Sequence, residues 1–349
     1  MEPIEALPQK GTSVERRAFL TDAAGVAAST SLPTYTRPVT PPGSSGAIGV
    51  VHLVELREGL NSLFVLDAAY GGSDVLRLAV RHLHRVRRVL NEGNPPEAIA
   101  RQLHLLVSET AGFCGWLAYD AEDQNTARRY WGEALAAATM VQDAHLQAYV
   151  FGFMSLQARH ENRPREAVDL ARAAQERAAR LDSPALRSIM AAREAGALSF
   201  LADASGASKK LAESRRLLDR PRGRPAPEWA AFHGHAELDN WEASLHINAG
   251  RHNAAIPFLR QTLARQDQMY GRNRALYRIR LATTLVKAGE IDEGAAHAVE
   301  TIPSLEEVES GRVAKEISKV TNLLRWQDAD CARQAVACLT DYARATGAA

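Results

Sequence analysis

The chain has 349 residues, of which 46% are hydrophobic and 6% aromatic, and its formal net charge is +1. This near-neutral charge excludes a global basic field for nucleic acid, and the three cysteines are too few for a disulfide framework. No run of about 18 continuous apolar residues is present, so we expect no membrane-spanning segment. Alanine-rich stretches are frequent and strand patterns are nearly absent, which predicts an all-α protein.

Residues 1–47 differ in composition from the rest of the chain. Arg16 and Arg17 precede a small, weakly apolar run and resemble a twin-arginine export signal, although Asp22 interrupts that run. Proline, glycine and serine dominate residues 33–49, which predicts a linker. We therefore expect residues 1–47 to be a disordered leader and linker of a cytoplasmic protein, with export through Arg16 and Arg17 as the alternative.

The first folded segment, residues 48–97, is predicted to be a pair of helices. Leucines at helical spacing mark the buried face of the first helix: Leu53, Leu56, Leu60 and Leu63. The segment from Asp67 to Gly72 carries two glycines, which suit a left-handed helix end. The second helix has a basic face that we interpret as solvated rather than as a phosphate-binding surface: Arg77, Arg81, His84, Arg85 and Arg88.

Residues 98–303 contain five segments that share one pattern. Each segment has a small or apolar anchor, at intervals of 40, 44, 44 and 39 residues: Ala127, Ala167, Leu211, Ala255 and Gly294. A turn signal precedes most anchors by about five residues: Asn162, Gly206, Gly250 and Gly289. Because each unit has the form helix, turn, helix, we predict a tetratricopeptide-like α-solenoid of antiparallel helix pairs. Residues 304–349 are predicted to be capping helices with an anchor at Ala332.

Two stretches of the first repeat carry a resemblance to a known family. Residues 111–121, which include Cys114, Gly115 and Trp116, and residues 127–135 resemble the repeat region of actinobacterial transcriptional regulators. Proteins of that group join an N-terminal helix-turn-helix domain to a C-terminal tetratricopeptide-like domain, so the resemblance implies a regulatory protein. The residues before the linker lack the three capped helices of a helix-turn-helix, and we therefore expect no sequence-specific binding of nucleic acid.

The first helix of each pair is expected to face the concave side of the solenoid. Polar and aromatic side chains there could hold an extended peptide, and six are candidate partner-binding residues: Tyr119, Tyr149, Arg159, Asn240, Ser244 and Asn248. Larger side chains at similar positions are interpreted as packing between repeats: Trp116, Leu156 and Phe200. The fourth repeat fits poorly, because the pattern buries Asp239, Glu242 and His246. An alternative register there turns Leu238, Trp241 and Leu245 inward.

The sequence contains no motif for catalysis, a metal or a cofactor. His82 and His84 are two residues apart, as are His233 and His235, whereas a chelating pair on a helix needs a spacing of about four residues. We therefore predict a non-enzymatic regulatory or interaction protein, without cofactors, that binds a peptide or protein partner in its concave groove. An exported repeat scaffold and an enzyme that uses the concavity as a pocket stay open as alternatives, and so does a homodimer.

Overall fold

The computed structural model describes residues 48–69, 72–220, 228–230, 232–266, 271–305 and 310–346. Within these ranges the chain forms α-helices, one short 3-10 turn at Glu228–Ala230, and no β-strand. The predicted all-α class is therefore confirmed. The predicted leader with Arg16 and Arg17 lies outside the described residues, and so do Tyr70 and Gly71 of the predicted helix end.

The helices follow one another in pairs. The chain begins with α1 (Val50–Ala69) and α2 (Gly72–Glu92). Five pairs follow in the described part of the chain: α3 (Glu97–Asp120) and α4 (Gln124–Met140), α5 (Ala144–His160) and α6 (Pro164–Ala178), α7 (Pro184–Phe200) and α8 (Ala204–Leu218), α9 (His235–Asn248) and α10 (His252–Arg265), α11 (Gly271–Ala288) and α12 (Ile291–Val299). A short helix, α13 (Ile302–Leu305), leads to α14 (Gly311–Arg325) and α15 (Asp330–Thr346). The two helices of each pair pack on each other, which confirms the predicted tetratricopeptide-like fold.

Small residues let the two helices of a pair approach closely. Buried small residues occupy the fourth position of the second helix in four pairs: Ala127, Ala167, Ala255 and Gly294. A Cβ atom added to Gly294 would lie 2.6 Å from Cγ2 of Val286 on the partner helix. A larger side chain would therefore push these two helices apart, because helices at this spacing leave no empty volume between them.

In the third pair the anchor is Ala207, so the predicted anchor Leu211 is wrong by one helical turn. Ala207 is fully buried at the fourth position of α8, like the anchors of the other pairs. The interval is therefore 40 residues from Ala167 to Ala207 and 48 residues from Ala207 to Ala255. The longer interval arises because additional residues, among them Glu228–Ala230, lie between the end of α8 at Leu218 and the start of α9 at His235.

The turn inside each of these pairs contains a residue in the left-handed conformation, five residues before the anchor. Gly250 and Gly289 have φ angles of 71° and 92°, which glycine adopts without the steric cost of a side chain. Asn162 has a φ of 58° and confirms the turn predicted there. The prediction was wrong at Gly206, which lies in the first turn of α8, and Ala202 takes the left-handed position with a φ of 61°.

Side chains at several helix starts explain where those helices begin. Carboxylates accept backbone N–H bonds at the starts of α4, α5 and α8: Asp123, Asp143 and Asp203. Serine hydroxyls do the same at the starts of α7 and α14: Ser183 and Ser310. These caps satisfy N–H groups that the first turn of a helix leaves without a partner.

The first helices of successive pairs also pack side by side, and glycines permit the contact. A Cβ atom at Gly112 of α3 would lie 2.4 Å from the ring of Tyr149 on α5. A Cβ atom at Gly196 of α7 would lie 2.2 Å from the ring of Trp241 on α9. Each ring therefore rests on the backbone of the preceding repeat, and the first helices form a continuous inner layer.

Helix α9 adopts the alternative register, so the first register predicted for the fourth repeat is wrong. The side chains that pack against the third pair are Leu238, Trp241 and Leu245. Asp239 is buried as well, but its carboxylate lies 3.4 Å from Arg215 and 2.7 Å from Arg265. A charged residue is tolerated at a buried position when cations compensate its charge. A prediction made from the spacing of hydrophobic residues alone does not take that compensation into account.

Candidate functional site

The first helices surround a central cavity with a volume of about 550 Å³. Its walls come from α1, α3, α5, α7, α9, α11 and α14, with Trp229 and Phe232 from the segment between α8 and α9. Aromatic rings form much of the wall: Phe64, Phe113, Trp116, Tyr119, Tyr149, Phe153, Trp229, Phe232, Trp241 and Tyr277. Charged side chains form another large part: Asp67, Glu122, Arg159, Arg193, Glu237, Arg272, Arg280, Arg312 and Glu316. The concave side is thus a partly enclosed cavity that stays open to solvent on one side.

Ion pairs between the two ends of the helical array close this cavity. Arg272 at the start of α11 binds Asp67 near the end of α1, with nitrogen–oxygen distances of 2.8 and 3.0 Å. Arg272 and Arg312 contact Asp120 at the end of α3, at 3.4 and 2.6 Å. A fourth ion pair, of 2.6 Å, joins Lys315 of α14 to Glu122. We call these six residues the closing seam: Asp67, Asp120, Glu122, Arg272, Arg312 and Lys315.

Backbone and aromatic contacts reinforce the closing seam. A Cβ atom at Gly311, the first residue of α14, would lie 2.9 Å from the backbone carbonyl of Ala121, which follows α3. Glycine therefore permits the close approach of these two segments. The guanidinium groups of Arg272 and Arg312 lie 5.1 and 4.8 Å from the ring centre of Trp116. Cation–π attraction thus adds to the ion pairs at the seam.

Asp120 is charged at neutral pH because two arginines face it. Burial alone would raise the pKa of this carboxyl, but Arg272 and Arg312 lower that pKa below its usual value. Burial would likewise lower the pKa of Arg272, yet Asp120 and Asp67 raise it. The carboxylates and guanidinium groups of the seam therefore neutralise one another.

Arg159 and Arg193 differ from the seam arginines, because the guanidinium group of neither forms an ion pair or a hydrogen bond with a described residue. Their guanidinium carbons lie 4.6 and 5.8 Å from the ring centre of Trp241. Burial, together with the charges of Arg193 and Arg280, lowers the pKa of Arg159 to about 10. Burial also lowers the pKa of Arg193, and both groups stay protonated at neutral pH.

Arg280 of α11 is held by neutral groups. Its Nη1 donates to Oδ1 of Asn240 at 2.6 Å and to Oγ of Ser244 at 3.0 Å. Ser244 in turn donates to the backbone carbonyl of Asn240 at 2.8 Å. These partners fix the guanidinium in position without neutralising its charge, and no described carboxylate forms an ion pair with it.

Glu237 supplies a carboxylate near these arginines without forming an ion pair with them. Its Oε2 accepts a hydrogen bond from the hydroxyl of Tyr277. Its charge raises the pKa of both Arg159 and Arg193, although burial outweighs this effect for each guanidinium. Burial and the nearby charge of Glu237 raise the pKa of Tyr277 well above its usual value, so the phenol is the donor in this bond.

The structure brings four of the six predicted partner-binding residues together at the cavity wall: Tyr119, Tyr149, Arg159 and Asn240. Ser244 lies behind that wall, where it contacts Arg280. Asn248 does not line the cavity, and its side-chain amide instead donates to Oγ of Ser199 at 2.9 Å. A role for any of the six in binding a partner stays a prediction.

Several residues of the cavity were not predicted from the sequence: Asp67, Asp120, Trp229, Arg272 and Arg312. The seam residues come from distant helices, and Asp67 and Arg272 are separated by 205 positions. Trp229 projects from the segment between α8 and α9, and its ring centre lies 4.7 Å from that of Tyr149. A tryptophan in a proline-rich segment is a signal that could have indicated this buried contact.

Other predicted features can be located in the described ranges. The basic face of α2 is exposed to solvent, as interpreted: Arg77, Arg81, His84, Arg85 and Arg88. Within those ranges, no group of three or more His, Cys, Asp or Glu side chains is arranged to hold a metal ion. None of the helices described there has the length and apolar character needed to cross a membrane.

No protein-family model matches the chain, and no curated protein matches it either. Solved structures do match. BtubC (BKLC) from P. vanneervenii is 15% identical, with a TM-score of 0.45, over 66% of this chain and 89% of that chain. The Rap protein complexed with Competence and Sporulation Factor is 11% identical, with a TM-score of 0.47, over 85% of this chain and 89% of that chain.

A third match is a signal-transduction ATPase with numerous domains that carries a tetratricopeptide repeat sensor, from Pyrococcus horikoshii. It is 12% identical, with a TM-score of 0.44, over 78% of this chain and 42% of that chain. All three TM-scores are below one half, so these likenesses carry no argument about function. The tetratricopeptide-like fold rests on the helix pairs and turns of this chain.

Proposed function

We propose that this protein is a non-enzymatic regulatory module that binds a short peptide or an exposed protein segment inside the central cavity. The observation that carries the proposal is the cavity itself, which the inner helices build from aromatic and polar side chains. Aromatic rings can hold the side chains of a peptide, and polar groups such as Asn240 can meet its backbone. A volume of about 550 Å³ lies in the range typical of ligand pockets, which favours a short segment over a long extended chain.

The hydroxyl groups of the cavity wall favour binding over nucleophilic catalysis. The hydroxyls on the described wall belong to tyrosines: Tyr119, Tyr149 and Tyr277. Burial raises the pKa values of Tyr149 and Tyr277 above the usual phenol value. A phenol with a raised pKa is a poor nucleophile and cannot serve as a general base at neutral pH.

The proposal is tested with a random library of short peptides and affinity selection followed by mass spectrometry. Val65 lies at the cavity, is 62% exposed and belongs to α1, so Val65→Trp should obstruct the cavity without disturbing the core. Val54→Trp is the matched control, because Val54 is 48% exposed on the same helix and does not line the cavity.

We expect wild type and Val54→Trp to retain the same peptides, and Val65→Trp to retain them with at least tenfold lower affinity. The proposal fails if wild type retains no peptide, or if Val65→Trp retains the same peptides as strongly as wild type. Melting curves of all three proteins show that the difference does not come from unfolding.

The cellular role belongs to the same proposal. We propose that the protein acts in the cytoplasm as a relative of repeat-domain regulators. The resemblance of residues 111–121 and 127–135 to those regulators supports this role. Mass spectrometry of the N-terminus of the mature protein checks the location, since cleavage after the Arg16-Arg17 segment would instead support export.

A further inference from the structure

We propose that Arg159, Arg193 and Arg280 form an anion-binding site, and that the ligand of the cavity is an organic anion with one oxyanion group and an apolar body. This inference deepens the proposed function and rests on the cavity being the ligand site.

The closing seam is neutral within itself, but the opposite part of the wall is not. Asp67 and Asp120 face Arg272 and Arg312, and Glu122 faces Lys315. Glu316 at the cavity pairs with Lys319. Three guanidinium groups then remain for one carboxylate: Arg159, Arg193 and Arg280, with Glu237. The wall therefore carries two positive charges that no described carboxylate offsets.

These charges are unfavourable in the protein alone. Arg193 is only 9% exposed, and its guanidinium has no hydrogen-bonding partner among the described residues. Arg159 and Arg193 share the ring of Trp241, and their repulsion contributes to the lowered pKa of Arg159. A buried cation without an anionic partner is costly. An oxyanion in the cavity would remove this cost, because it would supply the missing partner.

The geometry suits an oxyanion. Cation–π contacts hold Arg159 and Arg193 against aromatic rings while their N–H groups stay free for a ligand. Arg280 donates to Asn240 and Ser244 through Nη1 alone, which leaves the N–H groups of Nε and Nη2 available. Planar guanidinium groups bind carboxylate and phosphate oxygens in pairs, which is the chemistry that three converging arginines favour.

The remainder of the wall suits an apolar body. The ring of Phe153 lies 5.5 Å from the guanidinium carbon of Arg193, so aromatic surface begins directly beside the charge. Phe153 also contacts Tyr149 and Trp229, with ring centres 4.9 and 6.1 Å away. A ligand whose oxyanion meets the arginines would therefore place an apolar body against these rings.

A matched pair of fluorescent probes tests the site. The anion 8-anilinonaphthalene-1-sulfonate carries an oxyanion on an aromatic body, and N-phenyl-1-naphthylamine is the same body without the sulfonate. Titrations compare wild type with Arg159→Met and Arg193→Met, which keep the apolar stem and remove the charge. Arg81→Met is the control, because Arg81 is exposed on α2, away from the cavity.

We expect each of Arg159→Met and Arg193→Met to weaken binding of the sulfonate probe at least tenfold, while binding of the neutral probe changes less than twofold. The control should behave like wild type with both probes. Melting temperatures of the two cavity variants should equal or exceed that of wild type, because each variant removes a half-buried or buried charge that lacks an anionic partner. Equal loss of both probes, or no loss of the sulfonate probe, would overturn the proposal.

Displacement of the sulfonate probe identifies the oxyanion. N-acetyl-tryptophan represents a carboxylate at the end of a peptide, its amide is the neutral control, and phenyl phosphate represents a phosphate monoester. Displacement by either acid, and not by the amide, supports the site, and displacement by neither acid argues against it.

The experiments distinguish failure of the anion-binding site from failure of the proposed peptide partner. A wild type that retains no library peptide but binds the sulfonate probe through Arg159 and Arg193 would refute the peptide partner and leave the anion site standing. A wild type whose library peptides bind equally well to Arg193→Met would refute the anion site and leave the peptide partner standing.

Discussion

Asp120 is the residue at which the two ends of the helical array meet, so removing its charge tests the closing seam directly. Asp120→Asn would leave Arg272 and Arg312 with a weakened partner inside the protein. Breaking a buried ion pair typically costs about 3–5 kcal/mol of unfolding free energy. We expect a loss of that size in urea denaturation at neutral pH.

A surface aspartate provides the control for this change. Asp341 is 77% exposed and pairs with Arg344 at 3.5 Å. Because an exposed ion pair contributes roughly 0–1 kcal/mol, Asp341→Asn should change the unfolding free energy little. An Asp120→Asn variant as stable as Asp341→Asn would show that the seam contributes nothing.

His82 gives the fold a dependence on pH. Burial between α1 and α2, with Arg85 nearby, lowers the pKa of His82 to about 4. The unfolded chain, with an ordinary histidine pKa near 6.5, binds this proton more readily than the folded chain, so stability falls as pH falls from about 6.5 towards 4. We expect His82→Gln to remove about 1–2 kcal/mol of the stability difference between pH 7.5 and pH 5, measured by urea denaturation. Identical pH profiles of wild type and variant would contradict this.

The buried charges show what the sequence cannot reveal at the residue scale. Arg159 was predicted to face the concave side because a polar residue at that position has few packing reasons to be there, and it lines the cavity. Asp67 carried no such signal, since its partner Arg272 lies 205 positions away. Spacing along one helix identifies a face, but ion pairs between distant helices depend on the whole path of the chain.

At the element scale, a glycine on α3 and a glycine on α4 test how closely these two helices pack. A Cβ atom at Gly115 of α3 would lie 2.5 Å from the indole of Trp131, which is fully buried on α4. We expect Gly115→Ala to destabilise the protein by about 1–3 kcal/mol, as overpacking of a filled core does. Thermal and urea unfolding of the purified variant measure the loss.

Gly132 of α4 is the matched control, because a Cβ atom there would meet nothing within 4 Å. Gly132→Ala should stabilise the protein by about 0.5–1 kcal/mol through the higher helix propensity of alanine. Changes of opposite sign in the unfolding free energy of the two variants would confirm the tight contact between α3 and α4. Stabilisation by both would mean that Trp131 moves aside without cost.

The repeat pattern predicted the helix pairs well, and its error has a clear origin. An alignment that allows no long loop spreads additional residues evenly, which gave two intervals of 44 residues around Leu211. The structure instead has intervals of 40 and 48 residues around Ala207, with the additional length between α8 and α9. Helix periodicity identifies which residues are buried within one helix, but a shift by one turn preserves that pattern.

At the scale of the whole molecule, closure of the array could not be predicted from the repeats. Each repeat pattern describes contacts between neighbours, and tetratricopeptide-like repeats depend mainly on those contacts. The contacts of Arg312 and Lys315 with Asp120 and Glu122 join helices at opposite ends of the array. Such contacts follow from the accumulated curvature of all pairs, so an open groove was the natural expectation and a partly enclosed cavity is the finding.

Reversing one charge should open the array. Arg272→Glu would place a third carboxylate beside Asp67 and Asp120, where Arg272 now lies 2.8 and 3.4 Å from their oxygens. Like charges in a buried position repel strongly, and the two ends of the array should separate. We expect a larger radius of gyration in small-angle X-ray scattering and unchanged helix content in circular dichroism, since the contacts within each pair remain.

Arg260→Glu is the matched control, because Arg260 forms an exposed ion pair of 2.6 Å with Glu293 between neighbouring pairs, away from the closing seam. It should leave the radius of gyration unchanged. Wild type should also keep its radius between low and high salt, because salt screens buried ion pairs much less than exposed ones. If Arg272→Glu scatters like wild type, the seam is not what holds the ends together, and packing at Gly311 would be sufficient to close the cavity.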